Sequence, residues 1–174
     1  WDQIIKACYL DEKNPITTWK KLYSKLETYR KKLNALNAEK FHIEGQDVNL
    51  WIKLGEKRKW MGGSGRNMPS FELFTSPDWR GTEGWIRFNQ PLYRYGNLID
   101  GIKLTFKDGT VVESSATKNE KVLREMIATE NADKVGEFSM TDKRFSRITK
   151  FMAETLFDEN IGGENGNTHI ALGN

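Results

Sequence analysis

A stretch near the end of the chain, TLFDENIGGENGNTHIAL (155–172), combines several carboxylates with one of only two histidines in the sequence. Asp158, Glu159 and Glu164 precede His169, and glycines interrupt the run between them. Carboxylate oxygens and an imidazole nitrogen together suit divalent metal ions. A solvated acidic loop would have the same composition. The stretch therefore indicates either a metal site or an ordinary surface loop.

Two other carboxylates stand among apolar neighbours. Glu72 lies in SFELF, and Glu137 lies in VGEFSM. An isolated carboxylate is costly to bury, so such residues are usually paired, hydrogen-bonded or bound to metal. Each of them, like Glu159, can also be explained as a strand-surface residue, a helix cap or an arginine partner. Spacing alone leaves these alternatives open.

Other kinds of site are poorly supported. Cys8 is the only cysteine, which argues against thiol catalysis, a disulfide framework and a Cys/His zinc site. The segment GGSGR (62–66) has the glycines of a phosphate loop but neither its lysine nor its strand–helix setting, so we predict a surface loop. His42, between Phe41 and Ile43, is predicted to be a packed strand residue.

The composition is that of a folded globular chain of 174 residues, with 37% hydrophobic residues and a formal charge of +3. Because 27 basic residues are spread among 24 acidic ones, a nucleic-acid or membrane partner is not expected. There is no apolar run of the roughly 18 residues that a membrane helix needs, and no signal-peptide pattern. The single cysteine fits a reducing compartment. We therefore expect a soluble, cytoplasmic protein.

Hydrophobic spacing predicts helices at the edges of a sheet-rich centre. Asn14-Pro15 can begin a long amphipathic helix over 15–37, whose outer face is basic. Thr117 and Glu120 form a capping box for a helix near 118–129. Ser146 can cap a last helix, ending at Phe157, with an apolar stripe made of Ile148, Phe151, Met152 and Leu156.

Between these predicted helices the residue pattern is typical of short strands. Runs such as FHIE, NLWIKL, WIRFNQ, TVVESS and KVGEFSM alternate or are bounded by turn residues. Asp108-Gly109 between two apolar runs is a strong hairpin signal. The predicted fold class is α+β, with a mixed, mostly antiparallel sheet and flanking helices.

Four motifs in order resemble one known family. They are NMPSFELFTSPD, TEGWIRFNQPLYRYGNLIDGIKLTFKDG, VGEFSM and TLFDENIGG followed by THIALG. Together with the leading stretches ACYLDEKNPITTWKKL and LNALNAEKFHIEG, they resemble the aminopeptidase T and aminopeptidase S family of metallo-aminopeptidases. The resemblance covers essentially the whole chain.

The resemblance implies a metal-dependent exopeptidase that removes N-terminal residues from peptides with two divalent ions (Zn, Co, Mn or Mg). Its implied metal ligands are Glu72, Glu137, Glu159 and His169, with Glu137 the candidate to bridge the two ions. We expect Asp158 and Asn160 to lie behind these ligands and orient them. Glu164 is an outside candidate ligand.

The resemblance also implies a domain organisation. Residues 1–45 would be a helical segment leading in from a missing N-terminal domain. Residues 46–174 would be an incomplete catalytic domain, with a tyrosine, a histidine and an aspartate of the site beyond Asn174. Homodimerisation is a further implication. One departure concerns Phe71, which stands where many relatives have a second acid next to the one at Glu72.

Two alternatives remain from the residues themselves. One is a non-catalytic binding or scaffold domain whose acids are only structural. The other is a nucleic-acid-binding module, which would use the basic face of the helix over 15–37 and the six tryptophans.

Overall fold

The computed structural model describes residues 1–65, 69–163 and 166–174, and it confirms the predicted α+β class. The helices are α1 (Asp2–Ala7), α2 (Pro15–Ala35) and α3 (Glu120–Ile127). The strands are β1 (Lys40–Gly45), β2 (Val48–Lys53), β3 (Met61–Gly62), β4 (Leu73–Thr75), β5 (Asp78–Arg87), β6 (Leu92–Arg94), β7 (Asn97–Ile99), β8 (Lys103–Lys107), β9 (Thr110–Ser115), β10 (Val135–Thr141) and β11 (Asn167–Leu172). None of the helices in the described part has the length and apolar character needed to cross a membrane.

Contacts divide the chain into two compact units, and each unit is assembled from separate stretches of sequence. The first unit comprises Trp1–Asn37, Lys59–Thr75 and Ser139–His169. The second comprises Ala38–Arg58, Ser76–Phe138 and Ile170–Asn174. One unit boundary falls within β10 and another within β11.

The second unit contains a five-stranded antiparallel sheet in the order β1-β2-β5-β8-β9. Alternate residues are buried on two of its inner strands, as expected where one face of a sheet covers a core: Leu50 and Ile52 on β2, and Leu104 and Phe106 on β8. The predicted hairpin between β8 and β9 is confirmed. Both of its turn residues, Asp108-Gly109, have positive φ, at 51° and 82°.

The first unit begins with the long helix that the sequence predicts. The side chain of Asn14 accepts a hydrogen bond from the N–H of Thr17 at 3.1 Å, and Pro15 occupies the first turn. The helix ends at Ala35, close to the predicted end, and it buries Leu22 and Leu26. A second sheet, in the order β11-β10-β4-β3, carries Glu137 and His169, and Glu72 lies just before its strand β4.

The helix predicted near 118–129 is present as α3, but its predicted cap is wrong. Thr117 donates its hydroxyl hydrogen bond to the carbonyl of Asp100 at 3.0 Å, so it does not cap the helix. The N-cap is Asn119, which has a left-handed backbone conformation. Glu120 instead accepts a hydrogen bond from the N–H of Ala116 at 3.3 Å.

The helix predicted from Ser146 to Phe157 is wrong. This stretch is irregular, and only a short 3₁₀ turn, Asp158–Asn160, follows it. Ala153 and Glu154 have φ values of 53° and 64°, which a right-handed helix excludes. The apolar residues do have helical spacing, but the Asp158 carboxylate accepts hydrogen bonds from backbone N–H groups of this stretch. Hydrogen bonds of this kind compete with helix formation.

Arg147 anchors this irregular segment to the connection between α1 and α2. Its guanidinium lies 3.9 Å from the ring centre of Tyr9 and forms ion pairs with Asp11 at 3.1 Å and Glu12 at 2.5 Å. The Tyr9 hydroxyl donates to the carbonyl of Phe145 at 2.6 Å. These contacts fix a stretch that has no regular secondary structure of its own.

Candidate metal centre

Glu72 lies just before β4, and both oxygens of its carboxylate are held by serine hydroxyls. Ser70 donates to Oε1 at 2.6 Å, and Ser139 of β10 donates to Oε2 through a short hydrogen bond. Glu72 is only 9% exposed, and Ser139 is fully buried. The carboxylate therefore has a fixed orientation, which is a requirement for a good metal ligand.

His169, on β11, lies against the same carboxylate. Its Nε2 is 3.4 Å from Oε2 of Glu72, and both side chains are nearly buried, with exposed fractions of 14% and 11%. Strands distant in sequence thus bring together two of the predicted ligands. The contact is an ion pair when the imidazole is protonated. When it is neutral, an oxygen and a nitrogen lone pair are available side by side for a cation.

Glu137 lies on β10, two residues before Ser139, and it is half-buried. Side chains two residues apart on a strand project from the same face. Glu137 therefore projects from the face of β10 that also carries the Ser139 hydroxyl.

Glu159 lies in the 3₁₀ turn Asp158–Asn160. Although the residue is exposed, surrounding protein raises the pKa of its carboxyl, chiefly by desolvation. The charge of His169 lowers this pKa, whereas those of Glu72 and Asp158 raise it. The charges of Glu72 and His169 thus affect the ionisation of Glu159. A bound cation would favour its ionised form.

Asn160 is fully buried behind Glu72. Its side-chain NH₂ donates to Oγ of Ser70 at 3.2 Å, and its backbone carbonyl accepts a hydrogen bond from Ser146. Its Oδ1 has no hydrogen-bond partner among the described residues. Ser70 thus links the amide of Asn160 to the carboxylate of Glu72, and the orienting role of Asn160 stays a prediction.

Asp158 has a different set of contacts. Its carboxylate accepts hydrogen bonds from the backbone N–H groups of Met152 at 2.9 Å and Glu154 at 2.8 Å. With only 6% of the residue exposed, the side chain fixes the irregular segment before the turn. Asp158 is expected to act on the predicted ligands through the position of this backbone and, at Glu159, also through its charge.

The variant Asp158→Asn is expected to destabilise the protein by about 1–3 kcal/mol, because one of the two partly buried N–H groups would face an amide NH₂ and lose its charged acceptor. Chemical denaturation would measure the loss, and hydrogen exchange would locate it at the amides of Met152 and Glu154. Asp108→Asn is a matched control at an exposed turn where asparagine also tolerates positive φ. Unchanged amide protection in Asp158→Asn would show that the carboxylate does not hold this segment.

Sequence reasoning missed Ser70 and Ser139, the two donors to Glu72. A weak signal was present, since each serine is two residues from a predicted ligand in SFE and EFS.

Phe71 is explained by packing: its ring lies 5.3 Å from that of Tyr9 and 5.7 Å from that of Tyr23, so an acid there would be buried among aromatic rings. Glu164 lies outside the described residues.

The donor set fits a divalent metal ion. Glu72 supplies a nearly buried carboxylate with fixed orientation, and His169 supplies an imidazole nitrogen beside it. Among the described residues, no lysine or arginine forms an ion pair with Glu72, so His169 is its only basic neighbour at ion-pair distance. Oxygen and imidazole ligands of this kind are typical of borderline and hard divalent cations.

Comparison with known proteins agrees with this chemistry. The family model described as thermophilic metalloprotease (M29) matches residues 1–174. The chain is 34% identical to aminopeptidase PepS of Streptococcus thermophilus and 34% identical to aminopeptidase T of Thermus thermophilus, with 99% of this chain aligned in each case. It is 32% identical to aminopeptidase AmpS of Bacillus subtilis, again over 99% of its length.

A solved structure also resembles this one. Wild-type AmpT from Thermus thermophilus matches with a TM-score of 0.81 and 32% sequence identity over 99% of this chain. The chain spans 44% of the length of these relatives. On the extent of the sequence and structural match, the chain belongs to the thermophilic metalloprotease (M29) family.

Proposed function

We propose that this chain is part of a metal-dependent aminopeptidase, an exopeptidase that hydrolyses N-terminal peptide bonds. The contact between Glu72 and His169, with the carboxylate held by two serine hydroxyls, is the observation that carries the proposal. The names of the relatives support the reaction, since three of them are aminopeptidases.

Membership of a metalloprotease family implies a divalent metal ion. The group that we propose to hold it is Glu72, Glu137 and His169. Glu159 is a fourth proposed ligand on the family resemblance, and the hydrogen bond from Asn160 to Ser70 ties its turn to the Glu72 segment. We further propose two ions, drawn from Zn, Co, Mn or Mg, with Glu137 as the bridging ligand.

When bound, a divalent ion would lower the pKa of a water molecule and polarise the scissile carbonyl. The residues of this chain supply the binding and the orientation. Ser70 and Ser139 fix the plane of the Glu72 carboxylate, so its lone pairs have a defined direction. His169 contributes a nitrogen lone pair only when its imidazole is neutral, because a protonated ring is a donor on both sides.

The remaining elements of the proposal concern the substrate, the assembly, the location and the division of the chain. Peptide substrates follow from the aminopeptidase names of the relatives. Homodimerisation rests on the family resemblance, and a cytoplasmic location rests on the single cysteine. The division at residue 46 between a leading helical segment and a catalytic part stays a prediction.

Titration with Zn²⁺ or Co²⁺ tests the metal site directly. The unaltered chain is expected to bind the ion and to gain stability with its concentration, by about 2.7 kcal/mol at a hundred times the dissociation constant. The double variant Glu137→Ala/His169→Ala should lose both responses. His42→Ala is the control, since it removes the other histidine, which stacks on Trp51 and is not a proposed ligand. This variant should still bind the ion.

Equal binding by the parent and the double variant would contradict the proposal. The peptidase activity itself is measured on the protein of which this chain is a part, with a short peptide and its N-acetylated form. An aminopeptidase is expected to cleave the first peptide and not the second, whereas equal cleavage of both would contradict the exopeptidase assignment.

A further inference from the structure

We infer that Ser70, Ser139 and Asn160 position Glu72 for metal binding, and that the hydrogen bond between Asn160 and Ser70 couples the Glu159 turn to the Glu72 ligand. This inference rests on the proposed function, in which Glu72 and Glu159 bind metal. None of the three positioning residues is itself a proposed ligand.

Ser139 controls the oxygen of Glu72 that faces His169. Its hydroxyl donates to Oε2, and Nε2 of His169 lies 3.4 Å from that same atom. A carboxylate oxygen has two lone-pair directions. The fully buried hydroxyl of Ser139 occupies one lone-pair direction of Oε2, so the second lone pair has a fixed direction in which a cation could bind.

Ser70 controls the second oxygen, and Asn160 determines the direction of its hydrogen bond. The side-chain NH₂ of Asn160 can only donate, so the Ser70 oxygen must accept at that contact. The single proton of Ser70 is then left for Oε1 of Glu72, at 2.6 Å. The hydrogen bonds from Asn160 to Ser70 and from Ser70 to Glu72 therefore run in one donor-to-acceptor direction. With the bond from Ser139, each oxygen of the carboxylate accepts one hydrogen bond.

This arrangement connects two separate stretches of chain. Asn160 immediately follows Glu159 in the 3₁₀ turn, and Ser70 is two residues before Glu72. A hydrogen bond between buried side chains of the two stretches fixes the distance between the backbones that carry Glu159 and Glu72. Loss of the bond should loosen both proposed ligands together.

A positioning role explains the contacts better than a role in stability alone. A carboxylate buried for stability is normally neutralised by a lysine or arginine. Here the described residues give Glu72 two neutral donors and His169, which leaves its negative charge available for a cation. Partners of this kind behind metal ligands typically change metal affinity by about 10–100-fold.

The test compares Zn²⁺ affinity by calorimetry with the unfolding free energy of the metal-free chain. Ser139→Ala and Ser70→Ala are each expected to weaken Zn²⁺ binding by about 10–100-fold. Ser70→Thr, which keeps the hydroxyl, should retain most of the affinity. Thr82→Val is the control, because it removes a fully buried hydroxyl from β5 in the second unit and keeps the shape of the side chain.

A double-variant cycle tests the coupling. Asn160→Leu has a similar shape and no donor, and it should weaken binding only while Ser70 is present, so that the double variant Ser70→Ala/Asn160→Leu binds like Ser70→Ala alone. Full additivity would overturn the coupling. If both alanine variants bind as tightly as Thr82→Val, the positioning inference is wrong and the proposed function stands. If the unaltered chain binds no Zn²⁺, both are wrong.

Discussion

Glu72→Gln is expected to weaken metal binding by at least about 100-fold, beyond the effect of any residue that acts through it. The amide keeps the shape of the side chain but replaces one carboxylate oxygen with an NH₂ group, which cannot bind a cation and cannot accept a hydrogen bond from Ser70 or Ser139. It also removes the negative charge beside His169. Calorimetric titration with Zn²⁺ measures the loss, and the rate of peptide cleavage by the protein of which this chain is a part should fall with it.

Glu44→Gln is the control for this variant. Glu44 is an exposed residue of β1 in the second unit, and the same chemical change there should leave both metal affinity and cleavage unaltered. A Glu72→Gln protein that binds Zn²⁺ within a few-fold of the parent would remove Glu72 from the ligand set.

Phe71→Ala is expected to destabilise the protein by about 3–5 kcal/mol, as for other fully buried phenylalanines. The ring is completely buried and packs edge-on against Tyr9, with Tyr23 on another side, so its removal leaves a cavity. Chemical denaturation of the metal-free protein measures this loss. Phe71→Leu fills most of the space and should cost much less.

The variants at Phe71 and Glu72 should separate stability from metal binding, although the residues are adjacent. Under conditions where Phe71→Ala remains folded, its metal affinity is expected to stay near that of the parent. Metal binding lost in Phe71→Ala as completely as in Glu72→Gln would indicate that the aromatic packing positions the ligand.

Elements fixed by local chemistry were predictable from the sequence. Helix α2 begins at Asn14-Pro15 because the cap and the restricted φ of proline act within one turn, and the hairpin at Asp108-Gly109 forms because both turn residues tolerate positive φ. The stretch after Ser146 was not predictable in this way. Its conformation depends on the hydrogen bonds of Asp158 and on the ion pairs of Arg147 with residues distant in sequence. The spacing of hydrophobic residues does not predict such contacts.

The same distinction applies to the site. Carboxylates among apolar residues pointed to Glu72 and Glu137, since buried charge is rare enough to be informative. Ser70 and Ser139 gave no comparable signal, because serine is common on surfaces and in turns. Only the tertiary structure shows that their hydroxyls converge on one carboxylate.

The discontinuous units have a consequence for the order of folding. The first unit needs residues near both ends of the chain: Tyr9 bonds to Phe145, and Glu72 meets His169. Contacts between residues so distant in sequence slow folding, because a long loop must close before they form. On the ribosome, the hairpins of the second unit can pair while His169 is still unsynthesised. The candidate metal centre is therefore expected to be among the last parts of these 174 residues to form.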